Sequence, residues 1–287
     1  MGAPMAANLA RAGFSVRSYD INGTGNRASA REAARGAEAL ITMLPDGDAV
    51  RDAVLEALPA LSPGAVVIDM SSSDPASTRA LLPALSSRSI ALVDAPVSGA
   101  LAKAKDGTLA IMIGGDATDV EKIRDVLKAM GTDLFHVGPL GAGHAVKALN
   151  NYLGAAGTLA GFEVLRVARA FGLDARPMLE AINASTGRNS TTERKIPQQV
   201  LTGAFASGFK LALMAKDVAI AAGLARDLGV ETPYLKATLR LWRAAQKRLP
   251  AQADHTEIFH FLEKMRPPSR AARARRSNSR RKPRRST

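Results

Sequence analysis

Lys147 and Asn151 stand four residues apart in a stretch, 145–170, whose apolar spacing is helical and which contains no turn signal. Side chains at that separation project from one helix face, so an ammonium and a carboxamide would share a working edge. A lysine whose charged form is destabilised by burial can both give and take a proton at an alcohol or carbonyl oxygen. The amide four residues on can hold that oxygen, or the lysine, in line. Standing alone, such a lysine would be a solvated surface charge. Upstream, Asp94-Ala95-Pro96-Val97-Ser98-Gly99 directly follows an apolar run. The Ser98 hydroxyl and the Gly99 amide, just past a strand end, could hold a carboxylate without a charged partner. By itself the segment is an ordinary Pro- and Gly-containing turn. Gly141 and Gly143, ahead of Lys147, leave the first helical amides accessible, which suits an anionic group nearby.

These groups need a frame. Short apolar runs, FSVRSY (14–19), ALITM (39–43), AVVID (65–69), IALVD (90–94), LAIMI (109–113) and LFHV (134–137), alternate with amphipathic stretches such as 49–57, 76–85 and 120–130. That alternation predicts a parallel sheet covered by helices. After Gly143 the pattern turns wholly helical, with further stretches at 177–184, 211–228, 233–247 and 256–265. The expected fold class is therefore α/β, a Rossmann-like parallel sheet domain over 1–138, incomplete at its N-terminus, followed by an all-α domain over 139–265. Glycines 154, 157 and 161 share one face of the long helix, each destabilising it by about 1 kcal/mol relative to Ala. Close packing of another helix is the expected compensation.

The opening 13 residues read as a helix running into FSVRSY, which ends at Asp20. In a dinucleotide-binding unit such a helix follows a first strand and a Gly-x-Gly-x-x-Gly turn, with an acid about 20 residues on for the ribose. Gly2 and Asp20 fit the end of that pattern, but the strand and first two glycines do not precede them. Only residues 21–38 connect FSVRSY to ALITM, where a further helix and strand would be expected. In the 3-2-1-4-5-6 sheet order the second strand would then lack both neighbours. Either 14–19 slides into the central slot or this half is unstable as written, and in-frame codons upstream of Met1 are expected to encode an apolar run with Gly-x-Gly.

Met1-Gly2-x-x-Met5-Ala6-x-Asn8-Leu9, Met43-Leu44-Pro45, Asp69-Met70-Ser71-Ser72, Asp94 to Gly99, Gly141-x-Gly143-x-x-x-Lys147-x-x-Asn150-Asn151 and Met214-x-Lys216-Asp217 follow one another across 1–265. In this order they resemble the successive signatures of the β-hydroxyacid dehydrogenases, the 3-hydroxyisobutyrate dehydrogenase group. The resemblance implies hydride transfer between NAD(P) and a small β-hydroxy acid, with Lys147 as the catalytic lysine and Asn151, Ser98 and Gly99 binding substrate. It implies cofactor contacts at Gly2, Asp20, Leu44, Pro45, Ser72 and Lys216, and packing of the helical half against a second subunit in a homodimer or homotetramer. Apart from that likeness, Ser72 could cap the helix after Pro75, Lys216 could be a surface lysine, and Leu44 and Pro45 a strand end. Asp20 would repel a 2′-phosphate and favour NAD over NADP, a preference that Arg17 and Arg27 weaken. Ala100 departs from the second glycine common in relatives, so the loop would be less permissive. The imine-reducing relatives lack the lysine, which argues against their activity here.

Other classes fit less well. With no cysteine there is no disulfide, thiolate metal site or thiol nucleophile. His255 and His260 lie five apart, so they do not share a helical face, and no metal is expected; a capping and surface role suits them. None of the three tyrosines has a lysine four residues on, which removes Tyr-x-x-x-Lys chemistry. Gly23-x-Gly25-x-x-Ala28 is a rival fingerprint that would make FSVRSY the first strand. Of 39 basic side chains, ten fall in 266–287, leaving 29 against 26 acids, so the net +13 is mostly that tail. The tail is expected to be disordered. A rival, non-enzymatic reading makes the chain a relic fold that binds nucleic acid or a partner through it. No apolar run reaches bilayer length and no signal-peptide layout opens the chain, so a cytoplasmic protein without membrane contact is expected.

Overall fold

The computed structural model describes residues 1–265; the basic tail, and the expectation of its disorder, lie outside the described residues. The first half alternates helices and strands in the order α1 (Gly2–Arg11), α2 (Ala30–Ala34), β1 (Ala39–Thr42), α3 (Gly47–Ala57), β2 (Val66–Asp69), α4 (Pro75–Ala80), α5 (Leu82–Ser86), β3 (Ala91–Asp94), β4 (Val97–Ser98), α6 (Ala100–Asp106), β5 (Leu109–Gly114), α7 (Ala117–Lys122), α8 (Arg124–Lys128) and β6 (Gly131–Gly138). Strands β1, β2 and β3 are parallel and in register, Thr42, Asp69 and Asp94 ending level with one another. Alternation along β2 sends Val66 and Ile68 to the α1 side, with Met5 and Leu9, and Val67 to the other, with Val50, Val54 and Leu85. The sheet is thus a covered Rossmann-like layer. Pro83, in the first turn of α5, cannot donate a backbone hydrogen bond, and the single helix expected over 76–85 breaks at Leu81 into α4 and α5.

Two features differ from the sequence expectation. β5 runs antiparallel to β3 and β4 and parallel to β6, so the sheet is mixed. The chain turns back from β4 to β5 through α6, a connection shorter than a parallel crossover needs. FSVRSY is not a strand, and it does not slide into a central slot beside β1. Its polar backbone is served locally instead. Asn26 Oδ1 accepts from Ser18 N at 2.9 Å, while the amides of Asn26 and Arg27 donate to Ser18 O. Gly25 is the residue that allows this, because a Cβ there would lie 2.6 Å from Ser18 O. The glycines of the rival fingerprint therefore fold a loop back onto residues 18–20, with no strand before it. β1 is left at the edge of the sheet, paired only to β2.

The second half contains α9 (Ala142–Phe171), α10 (Ala175–Asn183), α11 (Leu211–Asp227), α12 (Pro233–Gln246) and α13 (Ile258–Glu263). They pack around Phe162, Leu165, Leu235 and Trp242. Residues Thr191–Val200, which sequence periodicity did not mark as a helix, form a wide π-type turn sequence that includes Pro197. Gly161 explains part of the small-residue face. A Cβ there would come within 2.8 Å of Thr191, so the π-wound segment packs against α9 at that point. Gly157 has only a distant neighbour and Gly154 none, so the packing explanation holds at one glycine of three.

Candidate active site

The buried Asp94 carboxylate fixes the start of α9. Its two oxygens accept from Gly141 N at 2.6 Å and His144 N at 2.7 Å. The anion suited to the open amides of this helix is thus supplied by the end of β3. Burial pushes the Asp94 carboxyl above its ordinary range, opposed by His144 and the two amides. Gly143 sits where a Cβ would collide with Met112 O and the Asp94 carboxylate, which is how the helix end can approach the sheet so closely. His144 completes the joint: Nδ1 lies 2.9 Å from Thr78 Oγ1 and Nε2 lies 3.2 Å from Ser71 O.

One turn further, Lys147 is partly buried, and no hydrogen bond from its Nζ is formed among the described residues. Burial lowers its pKa below that of an ordinary lysine; the nearby Asp217 charge opposes this and Lys216 adds to it. Asn151 lies on the same face, and its Nδ2 donates to Asp217 Oδ2 at 2.6 Å while its Oδ1 accepts from Asn150. Asp217 is itself pushed up by burial. The next residue, Lys216, bridges the two halves, donating to Pro45 O at 2.9 Å and Ser72 O at 2.5 Å. It is not a free surface lysine. Asp74, not Ser72, caps the helix that begins at Pro75.

A cavity of about 2360 Å³ opens between the sheet domain and the helices. All ten residues singled out from sequence, Gly2, Asp20, Leu44, Pro45, Ser72, Ser98, Gly99, Lys147, Asn151 and Lys216, line it. Gly99 has φ +140° and Ala100 has φ +57°, so the alanine occupies the left-handed region that favours glycine. Asp20 accepts from Asn22 N and Nδ2 through Oδ1 alone. The 187–192 loop, expected to border the site, does so only through Asn189 and Ser190. Its arginine, Arg188, instead pairs with Glu193 at 2.6 Å on the surface.

Sequence reading missed four participants. Asp94 and Asp217 stood inside the quoted motifs but were given no role, although a carboxylate beside a helix start or an asparagine is a positioning group. Lys195 and His255 also line the cavity. His255 is buried, not at the surface, with Nδ1 3.0 Å from Ser207 Oγ. No nearby motif could have marked either residue. Among the described residues no group of three His, Cys, Asp or Glu is placed to hold a metal ion.

The cavity wall meets the needs of a dinucleotide. The first residues of α1 reach it with no side chain capping their amides, Asp20 presents a carboxylate, and Leu44, Pro45 and Ser72 form an edge clamped by Lys216. A two-part oxidoreductase with a Rossmann-like half and a helical half is the class of protein that this fold and site define.

Comparison with known proteins makes the assignment specific. The family model for the NAD-binding domain of 6-phosphogluconate dehydrogenase matches residues 1–138, and that for the NAD-binding domain of NADP-dependent 3-hydroxyisobutyrate dehydrogenase matches 141–262. The NAD-dependent L-serine dehydrogenase of Pseudomonas aeruginosa is 36% identical over 282 residues, covering 92% of this chain and 95% of its own. The 2-(hydroxymethyl)glutarate dehydrogenase of Eubacterium barkeri is 32% identical, covering 92% of each. The structure of 3-hydroxyisobutyrate dehydrogenase from Mycobacterium tuberculosis with L-serine superposes with a TM-score of 0.85 at 32% identity, covering 91% of this chain and 95% of that one. The chain belongs to the β-hydroxyacid dehydrogenase family. It is an oxidoreductase that uses NAD, with NADP admitted, for hydride transfer on small hydroxy acids; the relic-module reading is not favoured. No helix among the described residues is long and apolar enough to cross a membrane.

Proposed function

We propose that this chain interconverts a small β-hydroxy acid of the 3-hydroxyisobutyrate kind and its semialdehyde, with Lys147 as the proton donor and acceptor. The observation that carries this reading is the partly desolvated Lys147 amine in the cavity between the two halves, beside an Asn151 held by Asp217. The relatives' names denote acids that carry a hydroxymethyl group: L-serine, 2-(hydroxymethyl)glutarate and 3-hydroxyisobutyrate. We take residues 1–138 as the cofactor domain and 139–265 as the helical domain.

A bound nicotinamide would supply the hydride acceptor for oxidation of the carbinol carbon and the hydride donor for the reverse. In oxidation the neutral Lys147 amine accepts the hydroxyl proton, and in reduction its ammonium form returns that proton to the carbonyl oxygen. Burial favours the neutral amine, so a lysine can serve as base nearer neutral pH than it would in water. Asn151 has one N–H committed to Asp217 and offers the other to the substrate oxygen. Ser98 and Gly99 hold the carboxylate at the opposite wall. Gly2, Asp20, Leu44, Pro45, Ser72 and Lys216 hold the cofactor, Lys216 by clamping the Pro45 and Ser72 loops to the helical half. The Asp20 charge favours NAD over NADP.

The outward face of α9 supports a homodimer or homotetramer, because Leu149, Leu153, Val164, Val167 and Phe171 recur at helical spacing and are exposed. Light scattering of the purified chain tests this. We assign the chain to the cytoplasm, a reading supported by its use of NAD and small hydroxy acids. Turnover of a panel of hydroxy acids with NAD and NADP tests the activity. Lys147→Ala should abolish that turnover while leaving NADH fluorescence enhancement intact; substantial residual turnover would remove the assigned role.

A further inference from the structure

The cavity continues past the catalytic pair. Beyond Asn151 it is bordered by Gly154, where an added Cβ would meet nothing within 4 Å, and then by Asn189, Arg194, Lys195, Phe209 and His255. Lys195 comes from the π-wound segment and reaches across to α9, donating from Nζ to Thr158 Oγ1 at 2.6 Å. Thr158 is fully buried and itself donates to Gly154 O at 2.7 Å, so the lysine is anchored on a fixed acceptor. Lys147, Asn151 and Thr158 lie at i, i+4 and i+11, on one face of the helix. Thr158 is about 10 Å along the axis beyond Asn151.

What Lys195 lacks is a counter-charge. Among the described residues it forms no ion pair, and the carboxylate whose charge acts on it, Asp254, is occupied elsewhere. Asp254 accepts from Ser207 Oγ, Gly208 N, Thr256 N and Thr256 Oγ1, and caps the turn beginning at His255. A half-buried ammonium bonded only to a neutral hydroxyl is a costly arrangement that an arriving anion would relieve. Arg194, also on the cavity wall, adds to the positive field, and Asn189 adds polar surface.

We propose that Lys195, held by Thr158, is a distal anion subsite, and that the preferred substrate is a β-hydroxy acid carrying a second anionic group several bonds from the alcohol. The class covers a second carboxylate, a sulfonate or a phosphate. Ser98 and Gly99 would take the first carboxylate and Lys195 the second. The assignment rests on the function proposed above and deepens it, since Lys195 discriminates between substrates without touching the reacting atoms.

Two measurements test it separately from the reaction. Glutarate and butyrate are titrated calorimetrically into the full chain and into Lys195→Met and Lys195→Arg. Glutarate should bind at least about tenfold more tightly than butyrate, the difference should vanish in Lys195→Met, and Lys195→Arg should restore part of it. Equal binding of the two acids by the unaltered chain would overturn the subsite, as would a glutarate preference that survives in Lys195→Met. In turnover, 2-(hydroxymethyl)glutarate should exceed 3-hydroxyisobutyrate in kcat/KM by a similar factor. Lys195→Met should remove that advantage through KM, and Lys195→Arg should restore part of it. If no hydroxy acid is turned over yet the glutarate preference depends on Lys195, the dehydrogenase reading fails and the subsite stands. If 3-hydroxyisobutyrate is oxidised and the diacid has no advantage, the subsite fails and the dehydrogenase reading stands.

Discussion

The two walls of the cavity are built differently. On the helical wall, α9 is anchored by Asp94 at its first amides, Asn151 by Asp217 and Lys195 by Thr158. On the opposite wall, residues 14–20 are mostly exposed, pair with no strand and take their hydrogen bonds chiefly from one asparagine, Asn26. Proton-transfer groups need fixed geometry to within fractions of an ångström, and the helical wall has it. The cofactor wall carries the residue types for its task with much less structure behind them. The difference teaches that catalysis and cofactor affinity in this chain should respond separately to mutation.

The largest effect should come from the joint. Asp94→Ala leaves the amides of Gly141 and His144 without their buried acceptor, and should cost about 2–4 kcal/mol in denaturant unfolding while lowering activity. A cost near zero would mean that α9 is held by packing alone. Asp217→Ala frees Asn151 and should lower kcat/KM on the order of 10²-fold, with NADH affinity nearly unchanged, as measured by steady-state kinetics beside fluorescence titration. Hydrogen exchange should then separate the walls directly, with the amides of Val16, Arg17 and Tyr19 exchanging fast and those of 146–160 protected. Equal protection would erase the contrast.

Smaller effects sharpen it. Lys195→Met removes a half-buried charge that has no ion-pair partner among the described residues and should raise Tm by a degree or two at pH 7. Burial lowers the Lys195 pKa to about 8 from 10.5. In the folded protein the strained ammonium persists below that value, while the unfolded chain stays protonated up to the higher one. The native chain therefore gains stability as pH rises from about 8 towards 10.5, and the advantage of Lys195→Met should shrink over that window. The smallest change is Ala100→Gly, which relieves a left-handed alanine and should stabilise by about 1 kcal/mol without altering turnover.

Much of this was legible from residue types and spacing. The strands β1, β2, β3 and β5 coincide with runs rich in Val, Ile and Leu, because buried strands must be apolar on both faces. Lys147 and Asn151 could be paired because a four-residue spacing has one meaning on a helix. FSVRSY misled because its composition is that of a strand while the neighbours that would make it one are lacking, and strand formation depends on partners rather than on local preference. The 191–200 segment was missed because π winding has no apolar period to read and Pro197 argues against a helix. Lys195 was invisible for the same reason, since it matters only through Thr158, 37 residues away on another element.

The central claim is that the amine at 147 exchanges the substrate proton, and the pH dependence of kcat/KM for oxidation tests it most directly. The rate should climb with pH through one ionisation lying below that of an ordinary lysine and then level off, and this step should vanish from any residual activity of Lys147→Ala. A flat profile in the unaltered chain, or the same step persisting in the alanine variant, would contradict the account.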